Sequence, residues 1–288
     1  MSPVKKYLSL IKFSHTIFAM PFAMIGYFLA VKEGYTFRWE IFIYVIGCMV
    51  AARSAAMAFN RWLDRRFDAL NPRTAVREIP TGMISSKNAL LFVIICCALF
   101  IIICALINFT CLLLSPIALF VVLGYSYTKR FTALCHIILG IGLAFAPIGA
   151  YMAMTGKFTL LPILFSFIVI FWVSGFDIIY ALQDEVFDKQ NKLHSIPAWL
   201  GKAGALNVSR IFHSITTTIV ITIGLLQYFS WVYWIGSIVF ITMLIYQHSL
   251  VKPNDLRKIN IAFMTVNGIA SVIFSIFVIA EIIFTYHF

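Results

Sequence analysis

Residues 40–68 read EIFIYVIGCMVAARSAAMAFNRWLDRRFD. The first twenty are almost unbroken apolar sequence, long enough as a helix to cross a hydrocarbon core of about 30 Å. The last nine, Asn60 to Asp68, crowd two carboxylates, three arginines and an asparagine together. An apolar run of membrane-spanning length that ends in a charge cluster sets the fold class: an all-α polytopic membrane protein. The remainder of the chain agrees. It has 288 residues, 62% of them hydrophobic and only 11% charged, where a soluble domain carries about 25% charged residues. Helices are the expected element, because a bilayer offers no water to unpaired backbone groups.

Nine spans are expected, at about 15–31, 40–59, 88–107, 109–125, 134–154, 160–182, 208–228, 231–250 and 260–284. The opening MSPVKKYLSLIKFSH is weakly basic, and the run behind it contains Pro21 and lacks a small-residue cleavage site. It reads as a retained first helix and not as a signal peptide. With the N-terminus in the cytoplasm, Lys and Arg fall overwhelmingly on the cytoplasmic segments. The opposite side holds only Lys32, Arg38 and Lys157. That bias predicts an N-terminus inside and, after nine crossings, a C-terminus outside. The net charge of +11 is largely this bias. It suits anionic lipid headgroups or an anionic substrate and gives no reason to expect nucleic acid. The whole chain, 1–288, reads as one integral-membrane domain with cytoplasmic motif loops near 60–87, 126–133 and 183–207.

The six cysteines form no Cys-x-x-Cys pair and no spaced metal set, and they read as small packing residues. His15, His136, His213, His248 and His287 show no ligand spacing and read as interfacial or structural.

The acids are informative because there are only eleven. Asp64, Asp68 and Glu78 follow the second span. Asp177, Asp184, Glu185 and Asp188 close the sixth. Seven of the eleven thus fall in two segments expected on one membrane face. The spacing repeats: Asn60-x3-Asp64-x3-Asp68 is matched by Tyr180-x3-Asp184-x3-Asp188. Steps of four keep side chains on one face of a helix, and like charges one turn apart repel unless a cation neutralises them. Carboxylate oxygens suit Mg²⁺, which is often held by one or two carboxylates plus substrate phosphates. The bland alternative is a solvated helix end salt-bridged to neighbouring arginines, but two motifs of equal spacing, four spans apart, weigh against it. Spans two and six read as equivalent members of a weak internal repeat.

Arg53 lies two turns before Asn60, inside the span, where an arginine costs roughly 2.5–3.5 kcal/mol even on the mild insertion scale. Asp177 stands seven residues before Asp184, as Arg53 does before Asn60. The two are expected to pair inside the bundle, either as a structural tie or as the lining of a polar cavity. A third segment, GYSYTKRF at 124–131, carries Tyr125, Tyr127, Lys129 and Arg130. These are either aromatic-belt and positive-inside residues or cations reaching toward an anion held by metal. Together the three segments describe a central cavity open to the cytoplasm. It would take a diphosphate head on metal and basic groups, and a long hydrocarbon tail among the helices.

At this point the chain resembles the UbiA superfamily of intramembrane prenyltransferases. The resemblance is carried by ARSAAMAFNRWLDRRFDALNPRTAVREIPTG at 52–82, by DIIYALQDEVFD at 177–188 and by the Tyr125-x3-Lys129 element. Arg53, Asn60, Asp64, Asp68, Arg73, Arg77, Pro80 and Gly82 fall in register with the family's first motif. Asp177, Tyr180, Ala181, Asp184 and Asp188 fall in register with its second. The opening IKFSHTIFAMPFA at 11–23 also looks like family members, closest to those that prenylate 4-hydroxybenzoate, with Lys12 where an Arg is usual. Three departures stand out. Arg61 occupies the place of an acid, Glu78 that of a proline, and His194 that of a common lysine.

The resemblance implies Mg²⁺-dependent transfer of a polyprenyl group from polyprenyl diphosphate to an aromatic acid, 4-hydroxybenzoate-like, in ubiquinone or menaquinone biosynthesis. A dihydroxynaphthoate acceptor in an alternative menaquinone route, or the acceptor of another branch, is the variant reading. It implies metal ligands at Asn60, Asp64, Asp68, Asp184 and Asp188. It also implies diphosphate contacts at Lys129, Arg73, Arg77, Lys12, Tyr125, Tyr180, Lys189 and Lys192, with Arg53 and Asp177 orienting the acceptor. The expected location is a bacterial inner membrane. A cation transporter is the rival from another class. It would place ionisable groups at the bilayer midplane, and here only Arg53, Asp177 and Glu281 lie deep.

Overall fold

In the computed structural model, residues 3–11 and 18–285 are described; Lys12, His15 and His287 lie outside them. Twelve α-helices run in chain order: α1 Pro3–Leu10, α2 Met20–Lys32, α3 Trp39–Leu63, α4 Arg65–Leu70, α5 Ser86–Ile107, α6 Phe109–Thr128, α7 Cys135–Thr155, α8 Leu160–Ala181, α9 Glu185–Gln190, α10 Ile196–Leu226, α11 Trp231–Leu250 and α12 Asn267–Thr285. Among the described residues there is no strand beyond one isolated bridge, Lys252 to Asp255. Eight helical stretches are long and apolar enough to cross a membrane, and Met20–Lys32 is a shorter apolar helix.

Local chemistry sets the ends of these helices. Ser85, Asn108, Ser195 and Ser230 each precede a helix, and each side-chain oxygen accepts a backbone N–H from its first turn, the ordinary N-cap arrangement. Asn108 also donates from its amide to the carbonyls of Met152 and Ala153 at 3.0 and 3.2 Å, so the start of α6 is tied to the end of α7. Gly156 closes α7 with φ 67°, a left-handed conformation that glycine adopts at no steric cost.

Close helix approach is written in small residues. A Cβ on Gly26 of α2 would sit 1.9 Å from the Pro147 carbonyl oxygen of α7, and one on Gly140 of α7 would sit 2.5 Å from the Ile170 carbonyl oxygen of α8. Aromatic side chains fill the space behind. Phe22, Trp172, Phe240 and Phe274 join α2, α8, α11 and α12, with ring centroids 5.3 Å apart for Phe22–Trp172, 5.8 Å for Trp172–Phe240 and 4.8 Å for Phe240–Phe274.

Three features depart from the sequence reading, and each bears on the site. The two acidic motifs do not lie on continuous helices. α3 stops at Leu63 and α4 begins at Arg65, with Asp64 at the joint; α8 stops at Ala181, a 3₁₀ turn follows, and α9 begins at Glu185, with Asp184 at the joint. Asp64 has φ −89°, ψ 7° and Asp184 has φ −99°, ψ 3°, so both joints share one backbone conformation. The equal spacing of the motifs therefore reflects a repeated break. The second feature is that 183–207 is not a loop. It holds α9 and the start of α10, which is interrupted at Gly201 with φ 69°, ψ 175°. The third is a π-helical turn at Ile261–Val266. The Asn267 amide donates to the carbonyls of Ala262 and Phe263, and its oxygen accepts from Trp172 Nε1 at 3.1 Å. Such turns often sit at functional sites; this one sets Phe263 against Tyr180, with centroids 4.2 Å apart.

Candidate functional site

The ends of α3, α6 and α8, with α4 and α9, meet around one polar cavity of about 220 Å³. Asn60, Asp64, Asp68, Asp184 and Asp188 all line it, as do Arg73, Arg77, Tyr125, Lys129, Arg130 and Tyr180. Below it lies an apolar cavity of about 490 Å³ walled by α3, α5, α6, α7 and α8. Asn60, Arg77, Tyr125, Leu139, Asp177 and Tyr180 line both. The two cavities therefore meet at a junction of polar and aromatic side chains.

Each of Asp64, Asp68, Asp184 and Asp188 is paired with a base. Arg130 Nη2 is 3.2 Å from Asp64 Oδ1; Arg77 Nη1 is 2.7 Å from Asp68 Oδ1; Arg73 Nη2 is 2.6 Å from Asp184 Oδ2; Lys129 Nζ is 2.7 Å from Asp188 Oδ1. The arrangement repeats the local symmetry. The aspartate at each joint takes an arginine, and the second aspartate of each pair, Asp68 or Asp188, is the more buried. Arg73 is held further by the Tyr180 hydroxyl at 3.2 Å. Burial pushes the Asp64 carboxyl above its ordinary range, and the hydrogen bond and charge of Arg130 only partly offset this. Burial disfavours the Lys129 ammonium, but the Asp188 carboxylate outweighs it and holds that group above its usual value. Among the described residues no three His, Cys, Asp or Glu side chains stand close enough to form a ready-made metal cluster. The oxygen donors are present on one cavity, each engaged by a cation of the protein.

Several expected residues fall elsewhere. Arg53 and Asp177 do not pair. Asp177 Oδ2 lies 2.7 Å from His136 Nδ1, because the imidazole of α7 stands directly across from α8. Arg53 has no hydrogen-bond or ion-pair partner among the described residues; its Nε is buried without one, and its side chain lines the apolar cavity. Lys189 turns away to Glu185 at 2.7 Å, half exposed, and neither it nor Lys192 lines the polar cavity. Lys12 lies outside the described residues.

Other contributors carried little sequence signal. The Asn71 amide donates to Asp184 Oδ1 at 3.2 Å. Ser195 Oγ donates to Asp188 Oδ2 at 2.8 Å while capping α10. His136 has no ligand spacing to single it out in the sequence. The need of an in-span Asp177 for a partner at its own depth was the clue available. Arg61 and Glu78, two departures from the family pattern, form one buried ion pair at 2.7 Å, and Ser9 Oγ donates to the same Glu78 carboxylate at 2.5 Å.

This geometry can be set beside known proteins. Residues 19–269 match the family described as the UbiA prenyltransferase family. The chain belongs to this family. Among curated UbiA-family relatives, 4-hydroxybenzoate octaprenyltransferase of Nitrosomonas eutropha (strain DSM 101675 / C91 / Nm57) is 33% identical, over 81% of this chain and 81% of its own. The enzyme of the same name from Marinomonas sp. (strain MWYL1) is 28% identical over 95% of this chain and 97% of its own. Among solved structures, the apo UbiA homolog from Aeropyrum pernix K1 superposes with a TM-score of 0.80 at 31% identity, covering 94% of this chain and 97% of that one. A UbiA homolog from Archaeoglobus fulgidus bound to GPP and Mg²⁺ has the same fold, with a TM-score of 0.75 at 22% identity over 96% of this chain and 99% of that one.

Proposed function

We propose that this UbiA-family chain transfers a polyprenyl group from polyprenyl diphosphate to an aromatic acid of the 4-hydroxybenzoate kind, with Mg²⁺, in quinone biosynthesis. The observation that carries the reading is the junction. A polar cavity lined by four paired aspartates opens onto an apolar cavity of the protein interior, and Arg53 stands in that apolar cavity with no anion. The relatives named 4-hydroxybenzoate octaprenyltransferase support the acceptor class, and the Archaeoglobus fulgidus homolog with GPP and Mg²⁺ supports the donor class and the metal.

The donor set fits a hard divalent cation: four carboxylates and the Asn60 amide oxygen. Mg²⁺ bound there would neutralise the charge that develops on a departing diphosphate. The charge balance explains why it is needed. Asp64, Asp68, Asp184 and Asp188 are each matched by one of Arg130, Arg77, Arg73 and Lys129. A bare diphosphate would find a site already neutral, with carboxylates repelling it. With divalent ions on the carboxylates, the same arginines and lysine would be free to hold phosphate oxygens. Arg73 and Lys129, about a third exposed toward the cavity, are placed for this. Charge-assisted hydrogen bonds of that kind contribute roughly 1.5–3 kcal/mol each.

The residues at the junction then serve the organic halves. Breaking the allylic C–O bond leaves a cationic carbon. Tyr180 and Phe263, stacked on one another, present aromatic faces at the top of the apolar cavity, where a desolvated cation gains about 2 kcal/mol per face. The surrounding apolar wall excludes water that would otherwise capture the cation. Arg53 supplies the charge that an acceptor carboxylate requires, and the acceptor ring thereby sits beside the junction.

The reading is tested with membranes that hold the protein, supplied with Mg²⁺, a polyprenyl diphosphate, and 4-hydroxybenzoate together with a dihydroxynaphthoate. Mass spectrometry is expected to show prenylated 4-hydroxybenzoate, lost on adding EDTA. Product from the naphthoate alone would reassign the acceptor, and no product from either would overturn the reading.

A further inference from the structure

We propose that His136 is the positioning residue of the acceptor end: it holds the Asp177 carboxylate so that one oxygen stays aimed at the cavity junction, where it accepts from a hydroxyl of the acceptor. The proposal rests on the prenyl-transfer reading above and goes past it, since it assigns the acceptor's hydroxyl to one oxygen and the control of that oxygen to a neighbouring helix.

His136 is the second residue of α7 and is 3% exposed. Its Nδ1 lies 2.7 Å from Asp177 Oδ2. The far side of the ring meets a donor, because the backbone N–H of Ile196 points at Nε2 over 3.4 Å. A ring nitrogen that accepts carries no proton, so the proton sits on Nδ1 and is donated to Asp177. That tautomer is assigned from the hydrogen-bond pattern. α7 is itself fixed against α8 there: Ser174 Oγ donates to the His136 carbonyl at 3.1 Å.

Asp177 therefore receives one donor on Oδ2. No other side chain or backbone N–H among the described residues bonds its carboxylate, and about a quarter of the side chain remains exposed. That exposure faces the junction, since Asp177 lines both cavities. A fixed carboxylate is an acceptor only, so the complementary ligand group is an O–H. A phenolic hydroxyl that donates to it keeps electron density in the ring, which favours attack on an allylic cation. Arg53 and Asp177 line the same apolar cavity. They offer a cation and an anion to the two ends of one hydroxy acid.

The donor to His136 belongs to a short strap that also serves the diphosphate end. His194 N–H donates to the Lys129 carbonyl at 2.7 Å, and Ser195 Oγ donates to Asp188 Oδ2 at 2.8 Å. Three consecutive residues, 194–196, thus touch the backbone of one phosphate-facing base, one metal-facing aspartate and the ring that holds the acceptor's partner.

The test compares wild type, His136→Leu and His136→Gln in membranes, measuring KM separately for 4-hydroxybenzoate and for the polyprenyl diphosphate. His136→Leu is expected to raise the acceptor KM at least tenfold and leave the diphosphate KM within about twofold. His136→Gln keeps an N–H within reach of Asp177 and is expected to recover most of that loss. Both KM values moving together, neither moving, or no recovery in His136→Gln would overturn the proposal. A second measurement does not depend on turnover. ¹⁵N spectra of histidine-labelled protein in detergent should show one ring, absent in His136→Gln, with a protonated Nδ1 and a bare Nε2, and Asp177→Asn should shift it. A protonated Nε2 on that ring would overturn the proposal. A wild-type protein that prenylates no phenolic acid would sink the functional reading instead, and the ¹⁵N result would still decide whether His136 holds Asp177.

Discussion

Arg61 and Glu78 stand where the family pattern has an acid and a proline, and side by side they explain each other. Their buried ion pair at 2.7 Å means that neither is tolerable alone: removing one partner leaves an uncompensated buried charge, at a cost of roughly 3–5 kcal/mol. Arg61→Ala and Glu78→Ala are each expected to lower the thermal midpoint of the detergent-purified protein strongly, and the double variant Arg61→Ala/Glu78→Ala to lose less than the sum. Additive losses would show that the pair is not coupled. The aspartates make a sharper claim. Asp64→Asn or Asp184→Asn keeps the shape of the side chain and removes the metal-binding charge, so turnover is expected to fall at least a hundredfold while the protein remains inserted at wild-type levels. Retained activity in either would remove that residue from the site. Lys129→Ala is expected to raise the KM for the diphosphate about tenfold, on the scale of one charge-assisted hydrogen bond; an unchanged KM would return Lys129 to a topological role. At this scale the four aspartates stand out in the sequence because carboxylates repeated at steps of four near an expected membrane face are rare, Lys129 by its short cationic segment and Arg73 only through the resemblance; all six line one cavity. His136, Asn71 and Ser195 do not stand out, because each is a lone polar residue whose role depends on what the fold sets across from it.

At the scale of the element, spacing alone predicts one continuous helical face, and the structure shows a repeated joint instead. The helix is interrupted at Asp64 and again at Asp184, setting α4 and α9 apart from α3 and α8, and the second aspartate of each pair is buried against a base. No propensity signal announces these breaks, since neither motif contains glycine or proline; bases from two stretches, 73–77 and 129–130, hold the aspartates at and beyond them. The interruption of α10 at Gly201 was equally hidden, because one glycine inside an apolar pattern is compatible with an unbroken helix. Gly26 gives the test at this scale. A methyl group there would press into the Pro147 carbonyl of α7, and backbone cannot swing aside as a side chain does. Gly26→Ala is expected to cost about 1–3 kcal/mol, read as a lower midpoint together with reduced activity. A midpoint equal to wild type would show that α2 and α7 are free to separate.

For the whole molecule, composition is enough to specify an all-helical polytopic protein, and the family match over residues 19–269 covers both acidic motifs. The charge bias predicts which face carries the site. Among the described residues eight helices are long and apolar enough to cross, and we propose that the shorter Met20–Lys32 belongs to a ninth crossing, which would place the chain termini on opposite sides. Protease-accessible tags at both ends, probed in spheroplasts and in inverted vesicles, are expected to report an N-terminus inside and a C-terminus outside; both tags on one face would remove a crossing. We propose that the four acid–base pairs exchange partners when metal and diphosphate arrive together. This central claim is tested most directly by titrating the purified protein with an unreactive allylic thiodiphosphate, with and without Mg²⁺, in wild type and in Asp64→Asn. Binding is expected to tighten at least tenfold with Mg²⁺ in the wild type and to lose that gain in Asp64→Asn. Equal affinity with and without the metal would contradict the exchange and leave the arginines and Lys129 alone to bind the diphosphate.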